Sequence, residues 1–223
     1  MARLKMQVTF LGTGTSQGVP LIACDCEVCS SIDLKNKRLR TSLMIEVAGM
    51  VFVFDTGPDF RQQMLRENVK RLDRVIFTHE HKDHVAGLDD VRAFNYILNQ
   101  KVDVYATERV ELALKREFHY IFSEEQYPGI PQINLHKIGN EPFSVKGVDF
   151  QPIQVMHYKL PVLGFRVGDF TYITDASEIP TIEKEKIRGS KVVVLNALRK
   201  EKHISHFTLD EAVTLMTELA PEK

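Results

Sequence analysis

Thr78-His79-Glu80-His81-Lys82-Asp83-His84 gathers three of the chain's eight histidines and one aspartate within six residues. A short apolar run, residues 75–77, leads straight into it. A loop leaving the end of such a strand can fold back so that alternate side chains converge on one point. Imidazole suits zinc, iron, nickel or copper, and a carboxylate adds charge. Polar surface loops often hold a lone histidine, but rarely four metal-type donors at this spacing. The segment therefore reads as a metal-binding loop.

Around it the pattern is mixed α/β. Strand-like runs cover residues 6–11, 42–47, 51–54, 75–77, 102–106, 133–138, 150–155, 162–167, 170–174 and 192–195. Ala48-Gly49 and Gly168-Asp169 are turn signals joining neighbouring strands. Helical stripes fall at residues 59–68, 89–98, 107–118, 179–187 and 208–219, the last with Thr208 and Glu211 spaced as a capping box. Two sheets inside and helices outside is the arrangement these elements suit. No repeat, low-complexity tract or flexible linker divides the chain, so residues 1–223 are expected to form one domain.

Composition narrows the class. Of 223 residues, 43% are hydrophobic and 26% charged, which suits a globular protein and excludes disordered, collagenous and coiled-coil chains. Lys and Arg total 29 against 30 Asp and Glu, so nothing pulls the whole surface toward nucleic acid or anionic membrane. No apolar run approaches the ~18 residues of a membrane span. Met1-Ala2-Arg3-Leu4-Lys5 opens no secretory signal. A cytoplasmic location is expected, with no membrane or nucleic-acid partner.

All three cysteines, Cys24, Cys26 and Cys29, lie within six residues. An odd, clustered set makes a poor disulfide framework and a better metal site. Structural zinc wants four ligands, so a fourth must come from elsewhere.

His79-x-His81-x-Asp83-His84 resembles the HxHxDH signature of the metallo-β-lactamase superfamily. The resemblance implies a four-layer αβ/βα sandwich and a dinuclear metal site. It implies that His79, His81 and His157 hold one metal, and that Asp83, His84 and Asp175 hold the second. Asp55, in Phe54-Asp55-Thr56-Gly57, resembles the family aspartate that orients the histidine loop. Phe10-Leu11-Gly12-Thr13-Gly14-Thr15-Ser16-Gln17-Gly18-Val19-Pro20 is similar to the start of tRNase Z-like and PhnP-type proteins. Cys24-x-Cys26-x-x-Cys29 resembles the PhnP-type phosphodiesterases, in which three thiolates hold a separate structural zinc. β-Lactamases and glyoxalase II lack that pattern.

Within this branch, His206 in His203-Ile204-Ser205-His206-Phe207-Thr208 resembles a histidine that contacts the scissile phosphate and serves as general acid. An imidazole with a pKa of ~6.5 suits that task near neutrality. The implied catalytic residues are Asp83 and His206. The implied function is a metal-dependent phosphodiesterase acting on a small diester, with a cyclic ribosyl phosphate as type substrate. Two divalent cations, zinc or manganese, would serve catalysis, and one zinc the cysteines. A homodimer is one candidate assembly. The alternatives are a tRNase Z-like nuclease, a thioesterase, or a non-catalytic metal-binding module. The basic run 35–40 could steer a phosphorylated substrate, though such runs more often form a solvated loop. The family also places a strand bearing two more ligand histidines after the last helix. That strand is not in residues 1–223, so a sandwich lacking its C-terminal strand is expected, with an open corner at the second metal and at the cysteine zinc.

Overall fold

The computed structural model describes residues 5–125 and 127–223. The reading of the first four residues lies outside the described residues. The chain forms two compact units, one ending at Lys137 and one spanning Ile138–Lys223, each built on one sheet.

The first unit holds β1 (Met6–Gly12), α1 (Glu27–Ser30), β2 (Ser42–Val47), β3 (Met50–Phe54), α2 (Phe60–Arg66), β4 (Arg74–Ile76), α3 (Lys82–Val85), α4 (Arg92–Leu98), β5 (Val102–Ala106), α5 (Glu108–Glu117) and β6 (Ile133–Lys137). Its six strands lie in sequence order. β1, β2 and β3 are antiparallel, and β3 to β6 are parallel with helices in the crossovers. Ala48 and Gly49 both have positive φ, as a two-residue hairpin turn requires. β3 is buried along its whole length, as expected of a strand covered on both faces. Val53, Val75, Phe77 and Val104 pack with Phe60, Met64, Leu88, Phe94 and Leu114 from the helical segments.

In the second unit, β7 (Phe143–Val145), β8 (Val148–His157), β9 (Leu160–Val167), β10 (Phe170–Ile173) and β11 (Val192–Leu195) form a sheet in the order β11-β10-β9-β8-β7. Only β10 and β11 pair in parallel. α6 (Thr181–Ile187) and α7 (Leu209–Leu219) supply Ile187, Ala212, Leu215 and Leu219 to a core with Ile153, Val155, Val162, Ile173 and Val193. α7 opens on the full Thr208–Glu211 capping box.

The elements differ from the sequence reading at their ends, and the short β7, α1 and α3 were not expected. The stripe at 89–98 begins as a 3₁₀ turn, Leu88–Val91, before α4. The helix expected at 59–68 is only Phe60–Arg66, and Asp59 gives its carboxylate to Arg40 rather than to a cap. That contact also engages Arg40 of the basic run 35–40, while Lys37 donates to the Cys29 carbonyl. Gly12 sits in β1 so that the strand can pass the 39–40 backbone: an added Cβ would stand 1.9 Å from the Arg40 carbonyl. Among the described residues, no helix is long and apolar enough to cross a membrane.

Candidate metal centre

In the first unit everything turns on Asp55. It follows β3 at φ +63° and is fully buried. Its Oδ1 accepts the Thr78 backbone N–H at 2.8 Å. Its Oδ2 accepts the Thr78 hydroxyl at 2.8 Å and His84 Nδ1–H at 2.7 Å. A carboxylate only accepts, so Thr78 spends its one hydroxyl proton on Asp55 and must accept from His79 Nδ1, 3.0 Å away. Both imidazoles therefore carry their proton on Nδ1 and present Nε2 as a lone pair. This is the pattern by which outer partners prepare metal-ligating histidines.

His81 completes the loop. Its Nδ1 lies 3.1 Å from His79 Nε2. Two nitrogens bound to one tetrahedral zinc would be about 3.3 Å apart, given Zn–N bonds of ~2.05 Å. Asp83 Oδ2 stands 3.4 Å from His84 Nε2, another ligand-like separation. The donors thus fit divalent metal in type, tautomer and spacing. Gly57 keeps the loop this close: an added Cβ would lie 2.1 Å from the Asp83 carbonyl. Thr56 N–H donates to the His84 carbonyl at 2.8 Å, locking the same approach. From outside, Arg109 and Glu117 on α5 pair with Glu80 and Lys82, the residues that alternate with the donors.

The second unit carries its own set. His157 ends β8, and its Nδ1 donates to the Ser205 carbonyl at 2.7 Å, which again leaves Nε2 as the lone-pair nitrogen. Asp175 follows β10 at φ +54°. His206 Nδ1 is 3.6 Å from Asp175 Oδ1, and its ring lies 4.7 Å from that of His157. Since Thr208 caps α7, His206 has no capping duty. His203 accepts from Ser205 N at 3.3 Å and lies against His206.

The three thiols converge, their sulfurs lying within 4.8 Å of one another. Cys29 is buried, Cys24 half-buried and Cys26 exposed. The Cys26 thiol is held below its ordinary pKa, chiefly by the Cys29 backbone N–H and then by hydrogen bonds from the Cys24 and Cys29 thiols. A lowered pKa favours the thiolate at Cys26, whereas at Cys24 the Cys26 backbone N–H is outweighed by hydrogen bonds with the Cys26 and Cys29 thiols, which push that thiol up.

Sequence reasoning missed Thr78 as the relay between Asp55 and His79. Its place beside the first histidine was the only available signal. It also missed the Ser205 carbonyl, which a sequence cannot reveal because any residue type could supply it.

The Beta-lactamase superfamily domain matches residues 51–223. In a crystal structure of a new diphosphatase from the PhnP family, 40% of residues are identical over 97% of this chain and 84% of that one, with a TM-score of 0.90. The octanoyltransferase of Porphyromonas gingivalis is 39% identical over 93% of this chain and 42% of its own length. The ribonuclease Z of Nostoc sp. is 29% identical over 74% of this chain and 47% of its own length. The chain thus spans about half the length of these curated relatives. Two sheets with helices, an Asp-anchored HxHxDH loop and a match over most of the chain agree: this protein belongs to the β-lactamase superfamily and has its mixed α/β fold.

Proposed function

We propose that this chain is a metal-dependent phosphodiesterase of the PhnP type, acting on a small diester such as a cyclic ribosyl phosphate. The observation that carries the reading is the His206–Asp175 pair beside His157, with Thr208 freeing His206 from capping. The likeness to a PhnP-family diphosphatase and the converging thiols support it.

In this reading His79, His81 and His157 hold one divalent cation, zinc or manganese, and Asp83, His84 and Asp175 hold another. When bound, the pair supplies Lewis acidity toward phosphoryl oxygens and brings the pKa of water toward neutrality. Asp55 fixes the tautomers of His79 and His84, so neither ring must reorient. His206 turns Nδ1 toward the Asp175 carboxylate, which leaves Nε2 to deliver a proton. That proton goes to the departing ester oxygen. Cys24, Cys26 and Cys29 hold a separate zinc that orders the loop around them.

A second reading has one observation behind it. The PhnP-family neighbour is a diphosphatase, so a P–O–P bond is an alternative target for the same groups. The P. gingivalis octanoyltransferase is a protein of which this chain spans 42%.

The test is a substrate panel with metal-loaded protein: bis(p-nitrophenyl) phosphate, p-nitrophenyl phosphate, a disubstituted diphosphate, a β-lactam and a thioester. The diester should be hydrolysed fastest. The His206→Ala variant should lose about 10²–10⁴-fold in kcat with metal retained. Faster turnover of the diphosphate would favour the second reading, and faster turnover of the thioester would overturn both.

A further inference from the structure

The turn after His157 is built at a cost that the fold does not repay. His157 and Leu160 close the β8–β9 hairpin, leaving Tyr158 and Lys159 as its two turn residues. Tyr158 has φ +58°. Hairpin turns of this length need positive φ at their first position, and glycine supplies it without the Cβ clash. Nine non-glycine residues among those described have positive φ, and Tyr158 is the only aromatic one. The residue is 50% exposed, so burial offsets the strain only in part.

The turn is nonetheless held firmly. Tyr158 N–H donates to Ser177 Oγ at 3.0 Å, and Ser177 Oγ donates to the Met156 carbonyl at 3.0 Å. These bonds tie it to the segment that follows Asp175. The His157–Ser205 bond ties the same strand end to the loop bearing His206. Lys159 Nζ stands 5.3 Å from the Tyr158 ring centroid and covers one face of the ring. Strained residues that the surroundings hold in place cluster where a site uses them.

We propose that Tyr158 is a specificity-determining residue whose ring, on the face opposite Lys159, stacks on a ring in the non-reacting part of the substrate. Lys159, over the other face, places a cation beside that part and suits a second anionic substituent on it. The ligand class is a ring-bearing phosphate ester, with the ring a sugar, a base or an aryl group. Stacking on an aromatic side chain tolerates such variety. This rests on the phosphoryl-hydrolase reading and narrows it.

Two diesters with the same leaving group test it: bis(p-nitrophenyl) phosphate and methyl p-nitrophenyl phosphate differ only in the retained group. Wild type should show the lower KM for the bis-aryl ester. Tyr158→Gly should reduce that preference about tenfold, through KM and with little change in kcat, and Tyr158→Phe should keep it. Glycine suits the turn, so the Tyr158→Gly variant should melt no lower than wild type. A binding readout needs no turnover. The chain contains no tryptophan, so Tyr158→Trp introduces a single indole whose fluorescence should respond saturably to phenyl phosphate and not to methyl phosphate. An unchanged ester preference in Tyr158→Gly, or an indole indifferent to phenyl phosphate, overturns the inference. If wild type hydrolyses neither diester the phosphodiesterase reading fails instead, and the indole response still decides the ring site.

Discussion

Asp55 shows how one side chain can prepare several others. Fully buried, it satisfies both oxygens with three donors and so sets the proton positions on two imidazoles. Asp55→Asn would keep the shape but bring an amide into a place built for an acceptor. The expected outcome is a loss of about 10- to 100-fold in metal affinity, measured by competition with a chromogenic chelator. Gly57→Ala attacks the same loop by sterics. Its Cβ would overlap the Asp83 carbonyl, so the loop must move away from β3. Metal retention should fall as in Asp55→Asn, with a lower melting temperature as well, whereas wild-type behaviour would mean that the loop has slack. Asp55 could be read in the sequence because it ends an apolar run within a recognisable motif. Thr78 could not, because a threonine before a histidine is unremarkable until the strand ends are brought together.

At the scale of elements, α6 is fastened to β8 by one carboxylate. Glu183 accepts Gln154 N–H at 2.8 Å and Asn140 Nδ2 at 3.0 Å, and pairs with Lys186 at 2.9 Å. Burial pushes its pKa up, but Lys186, Asn140 and the Gln154 amide outweigh that and hold it below the ordinary value. A carboxylate with a depressed folded pKa stabilises fully above its unfolded pKa of ~4.3. That contribution is lost as pH falls through the lower folded value. Glu183→Gln should therefore destabilise by about 1–2 kcal/mol at neutral pH, and the gap to wild type should close on acidification. Urea unfolding at several pH values checks this. A gap independent of pH would mean that charge is not what Glu183 supplies. α7 gives a simpler case: Thr208→Ala removes one half of its capping box and should cost about 1 kcal/mol. The cap was legible from Thr208 and Glu211 alone, because capping is local. The short β7, α1 and α3 were not, since three or four residues carry no period; they exist because neighbouring strands and loops hold them.

Over the whole molecule, charge balance and the converging cysteines are the features with consequences. With 29 basic and 30 acidic side chains, precursor tRNA should neither bind nor be cut under conditions in which the ribonuclease Z relatives are assayed. A gel-shift and cleavage assay checks this, and cleavage would place the chain with the nucleases. Replacing Cys24, Cys26 and Cys29 together by serine should remove one zinc per chain while leaving any metal at the histidine loop in place. Metal analysis after gel filtration reads this directly, and equal zinc in both proteins would dismiss the thiol site. The fold class was legible because the HxHxDH run and alternating strand and helix signals agree. The presence of two compact units was not, because nothing in the composition changes near Lys137.

The bond between His84 Nδ1 and Asp55 Oδ2 has a practical use. Both side chains are inaccessible to solvent, so the shared proton exchanges with water only when the surrounding structure opens. A short bond of 2.7 Å to a carboxylate should move this proton's NMR resonance far downfield, clear of the amide envelope. One isolated line would then report on the site in solution. It should be present in the apoprotein, shift as each cation is titrated in, and vanish in Asp55→Ala, giving an occupancy gauge that needs neither a substrate nor a coloured metal.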